Sequence, residues 1–122
     1  MNRDRFRKLV EEALDTLPEK FRAQVHNVAV VVEDEPPPDA DGLVDDELMG
    51  LYDGVPLTER GALDPVTPDR IILYQRNIEA YARDAAEEKR SEDEGIRQEV
   101  RLTVLHELGH YFGMDEDQLE DV

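Results

Sequence analysis

Cysteine is absent from the 122 residues. That excludes disulfides and thiolate metal sites, so any metal must be held by His, Asp or Glu. No stretch approaches the roughly eighteen apolar residues that a membrane-spanning helix needs. The opening "MNRDRFRKLVEEALDTL" lacks the uninterrupted apolar run of a signal peptide, so a cytoplasmic protein is expected. Basic residues are few, 14 against 31 acidic ones, giving a formal net charge of −17. A field of that sign repels phosphate backbones and anionic lipid, which argues against nucleic acid and membranes as partners. Basic or neutral peptides remain compatible with it.

The length suits one domain over residues 1–122. Phe6, Leu9, Val10, Ala13, Leu14 and Leu17 fall at helical spacing, with Asn2 or Asp4 as cap and Pro18 as stop. "HNVAVVVED" (26–34) is a β-branched run and predicts a strand. Residues 33–47 hold three prolines and eight acids, which predicts a surface loop whose acids do not follow a calcium-binding spacing. "LMGLYDG" (48–54) reads as a short strand and "RIILYQR" (70–76) as a stronger one, with a turn-rich stretch between them. Asn77 is the expected cap of a helix from Ile78 to about Glu88. "SEDE" (91–94) is a capping box ahead of Ile96, Val100 and Val104, predicting a long helix from about Glu92 to Phe112 that stops at Gly113. These elements make a small α+β domain: a few-stranded sheet against two long helices.

The second long helix carries the chemistry. His106 and His110 are four residues apart, which places them about 40° apart around a helix, so both imidazoles can reach one point. Glu107 lies about 100° from the first and 60° from the second, beside that point without being forced to ligate. This His-Glu-x-x-His pattern suits a metal ion on the imidazoles and a glutamate that acts as general base on a metal-bound water, the chemistry of carbonyl hydrolysis. Apolar residues surround the motif (Leu102, Val104, Leu105, Leu108, Phe112), which predicts a helix buried on all sides. A buried carboxylate needs a charged or hydrogen-bonding partner, and a metal supplies one. The plain alternative is a pair of core histidines beside an unrelated glutamate.

A catalytic zinc takes three protein ligands and keeps one position open. After the expected break at Gly113 come Asp115, Glu116 and Asp117. Asp115 reads as the N-cap of a short last helix, which leaves Glu116 as the expected third ligand, with Asp115 and Asp117 as alternatives. Elsewhere, His26 reads as an exposed or capping residue. Tyr52, Arg60, Arg70 and Tyr74 are candidates for stabilising an oxyanion or positioning a substrate, with plain structural roles as the alternative.

"HELGHYFGMDEDQL", "NVAVVVEDEP", "GLYDGVPLTERG" and "PDRIILYQR" together resemble the minimal zincin-like metallopeptidases of bacteria, over about residues 6 to 120. The resemblance implies a zincin-like domain, one Zn²⁺ per chain and peptidase activity. Its members commonly carry His-Glu-x-x-His-x-x-Gly-x-x-Asp. This chain has Glu116 at the last position, so the third ligand departs from that pattern, and zinc can be lost on purification. Only nine residues follow Gly113, too few for the Met-turn of a metzincin.

Two functions fit. One is a zinc-dependent peptidase with Glu107 as base, binding an extended peptide or protein substrate along an edge strand at 48–53 or 70–75. The other is a catalytically silent binding module on the same fold, with or without metal. An intact Glu107 favours the first, since a purely structural metal needs no base; the short chain, with little material for specificity pockets, favours the second. A second copy of the chain is a further candidate partner.

Overall fold

Asn2 starts the first helix. Its side-chain oxygen accepts the Arg5 N–H at 2.8 Å and caps α1, Arg3–Leu14. The computed structural model of the chain describes residues 1–25, 28–54, 69–84 and 91–111. The apolar spacing of α1 buries Phe6, Leu9, Val10 and Ala13 against the core. A seven-residue helix follows Pro18: α2, Glu19–Val25, which the apolar pattern does not reveal because Phe21 is its one buried side chain.

Three strands follow: β1, Ala29–Glu33; β2, Gly50–Asp53; and β3, Arg70–Tyr74. Their order in the sheet is β1-β3-β2. β1 runs parallel to β3, with Val32 opposite Leu73, and β2 runs antiparallel to it, with Tyr52 opposite Ile71. Residues 70–75 are therefore central and not an edge; the edge expected at 48–53 is β2. Ile71 and Leu73 point from β3 into the helical core, whereas Ile72 and Tyr74, also buried, occupy the opposite face.

The helix α3, Gln75–Asp84, begins directly where β3 ends. Asn77 is not its cap. It lies buried in the first turn, and its amide donates to the carbonyls of Asp45 (2.9 Å) and Leu48 (2.8 Å), tying down the chain that leads into β2. The far end expected near Glu88 lies outside the described residues. In the acidic loop, the Asp39 carboxylate accepts the N–H groups of Asp41 and Leu43, and Gly42 takes the left-handed conformation that closes this turn.

The helix α4, Glu92–Tyr111, is the axis of the fold, 20 residues or about 30 Å long. Ser91 Oγ accepts the Glu94 N–H at 3.1 Å, as the capping box predicts. Ile96, Val100, Val104, Leu105 and Leu108 form its buried stripe, each contributing on the order of 1.5–3 kcal/mol by leaving water. The helix packs against α1, α3, β2 and β3. It is not buried on all sides, contrary to its composition: Leu102 is 44% exposed, and His110 also faces out. Its predicted stop at Gly113 lies outside the described residues. Four helices and a three-stranded sheet among those residues make the expected small α+β arrangement, with no helix long and apolar enough to cross a membrane.

Candidate metal centre

One close contact sets where α4 lies on the sheet. A Cβ on Gly50 would stand 2.7 Å from Thr103 Cγ2 and 2.9 Å from the Ile72 carbonyl oxygen. The glycine lets the helix pass directly over β2. From there, two strand residues advance about 6.6 Å and four helical residues about 6 Å. The next meeting of strand and helix therefore falls at Tyr52 and Glu107. There the Tyr52 N–H donates to Glu107 Oε2 at 3.3 Å.

Glu107 and both histidines of the motif come together on this part of α4. The imidazole rings of His106 and His110 lie edge to face, with centroids 4.5 Å apart and planes at 69°. His110 Nδ1 is 3.5 Å from Glu107 Oε2. The Glu107 side chain is 12% exposed and that of His110 is 43% exposed, so the carboxylate is the more sheltered of the two. Beside them runs a cleft of about 410 Å³, between residues 47–50 and α4, which His106, Glu107, Leu102, Thr103, Glu99 and Tyr81 line.

The other candidates fall elsewhere. Arg70 pairs with Asp53 at 2.7 Å, both side chains exposed, on the face of the sheet turned from the helical core, and that carboxylate holds its guanidinium pKa above the ordinary value. Tyr74 is buried on the same face, away from α4, where burial and then the Glu33 charge push its phenol upward. Neither reaches the histidines. Tyr52 does approach the motif, through its backbone; its phenol donates instead to Asp69 Oδ2 at 2.6 Å. His26, Arg60, Asp115, Glu116 and Asp117 lie outside the described residues.

Sequence reasoning missed the Tyr52 amide, Asp69 and the cleft-lining Tyr81 and Glu99. Strand parity holds part of the signal for the amide, since alternate N–H groups of an edge strand point off the sheet. Nothing local marks Asp69, whose partner is 17 positions away.

A family model described as zincin-like metallopeptidase matches residues 25–122, which takes in the whole sheet, α3 and α4. The chain belongs to that family. The zincin-like family implies zinc, and the donors fit it: two imidazoles converging from one helix, with a sheltered carboxylate next to them. Among the described residues no group of three His, Asp or Glu is placed to hold a metal. This zincin-like chain is also similar to a conserved hypothetical protein from Thermo thermophilus, at 25% identity over 92% of this chain and 94% of that one, with a TM-score of 0.48. No curated protein matches it.

Proposed function

We propose that the protein is a zinc-dependent peptidase in which His106 and His110 hold the ion and Glu107 is the general base. By its spacing after the histidines, Glu116 supplies the third ligand. One observation carries this reading: two imidazoles 4.5 Å apart beside a carboxylate that is 12% exposed, at the wall of an open cleft. A core histidine with an unrelated glutamate would not line a cleft together, as His106 and Glu107 do.

A bound zinc ion supplies a Lewis acid for the peptide carbonyl and lowers the pKa of its water to about 7. His106 and His110 serve as neutral donors through ring nitrogen lone pairs. Among the described residues both contacts of the Glu107 carboxylate fall on Oε2, from the Tyr52 N–H and from His110, and Oε1 would take a proton from water and pass it to the leaving amine. β2, the edge strand among the described residues, would take an extended substrate in the manner of an added strand. Glu47 and Glu99 line the cleft, and with the net charge of −17 they favour basic peptides over acidic ones.

The test is a peptide library incubated with zinc-loaded wild type and with Glu107→Gln. The wild type is expected to cleave, and a chelator to stop it. Glu107→Gln is expected to bind zinc as before while the rate falls by about 10²–10⁴-fold. Equal activity of the variant would refute the role of Glu107. A zinc-loaded wild type that cleaves nothing would instead support the silent binding module.

A further inference from the structure

We infer that Tyr52 and Asp69 form a positioning clamp for Glu107, a role that rests on Glu107 acting as the base. The ladder between β2 and β3 shows why Tyr52 is placed for it. The Tyr74 N–H donates to the Met49 carbonyl at 2.9 Å, which makes 49 and 74 a hydrogen-bonded pair. In an antiparallel ladder such pairs alternate, so with the observed register Leu51 and Ile72 bond next, then Asp53 and Arg70. The N–H groups of Gly50 and Tyr52 therefore point off the open edge, and Tyr52 turns its N–H onto Glu107 Oε2.

The other end of Tyr52 is held as firmly. Its phenol donates to Asp69 at 2.6 Å, and Asp69 is only 8% exposed. A carboxylate so buried is costly unless it accepts hydrogen bonds, and a phenol-to-carboxylate bond is among the stronger kinds. Gly54 completes the arrangement: a Cβ there would collide with the Asp69 carboxylate. Tyr52 thus spans from a fixed anchor to the oxygen of the base. A general base works only within a narrow distance of its proton, so slack in this span costs rate while ground-state binding is spared.

The clamp is tested on the full chain with Tyr52→Phe, Asp69→Ala and Asp69→Asn, using Asp53→Asn as control. Asp53 sits on the same strand but on its opposite face, paired with Arg70, so the control loosens the β2–β3 pairing without touching the clamp. On metal-free protein, nuclear magnetic resonance is expected to show the Tyr52 amide proton moving in Glu107→Gln. Hydrogen exchange at the position-52 amide should speed up about tenfold in Tyr52→Phe and Asp69→Ala, with Asp69→Asn in between because its amide oxygen still accepts the phenol, and not in Asp53→Asn. With zinc, the first two variants are expected to lose about tenfold in kcat with KM and zinc affinity unchanged. An amide that ignores Glu107→Gln, or clamp variants indistinguishable from Asp53→Asn, would overturn the proposal. Full activity of Glu107→Gln, by contrast, would remove the base reading while the amide data still report whether the clamp exists.

Discussion

Glu107 is a charge kept at the boundary of the core, and its surroundings explain how. Its Oε2 accepts the Tyr52 N–H and stands 3.5 Å from His110, so the carboxylate is partnered without being neutralised. The mutual placement of His106, Glu107 and His110 was legible because positions about one helical turn apart fix their mutual angle by local geometry alone. Tyr52 and Asp69 were not, because their meeting depends on a strand register set by long-range pairing. Glu116, proposed as the third ligand, belongs to the same scale. An aspartate there would be one methylene shorter, so the two carboxylates would reach the ion differently. Zinc titration of single variants is expected to show Glu116→Ala losing at least about tenfold in affinity, the removal of one of three donors. Glu116→Asp should match or exceed the wild type, and Asp117→Ala should change little. Loss on Asp117→Ala or Asp115→Ala with Glu116→Ala silent would move the third ligand.

Between elements, the decisive contact is the crossing of α4 over β2. Gly50 has no side chain to hold the helix away, and the matched advance of helix and strand carries that closeness one turn on to Glu107. Gly50→Ala is expected to destabilise the protein by about 1–3 kcal/mol, the usual cost of overpacking, as read by denaturant unfolding. Thr103→Ser removes the clashing methyl and should recover part of that loss in the double variant, since the clash with the Ile72 carbonyl remains. A Gly50→Ala protein as stable as wild type would show that the helix does not need this approach. The elements themselves were largely visible: β-branched runs marked β1 and β3, and the capping box at Ser91 marked the start of α4. Asn77 misled because β3 passes into α3 without a loop, leaving no cap position to fill, and its amide serves carbonyls some 30 positions away. The all-apolar neighbourhood of the histidines misled too, since Leu102 lines the cleft instead of the core.

For the whole molecule, periodicity and length were enough for an α+β arrangement, but strand order was not legible. Residues 70–74 read as strongly as any edge strand, and only pairing on both sides makes them central. Among the described residues that order leaves β2 at the edge of the sheet beside the motif, and α4 reaches both core and cleft. The metal site we propose on α4 is built on His106 and His110. Calorimetric titration of zinc into wild type and into the His106→Ala/His110→Ala double variant, with circular dichroism to check the fold, addresses it most directly. One zinc per chain is expected for wild type and no stoichiometric binding for the double variant, with helix content retained. A folded double variant that still takes up one zinc per chain with unchanged affinity would contradict it.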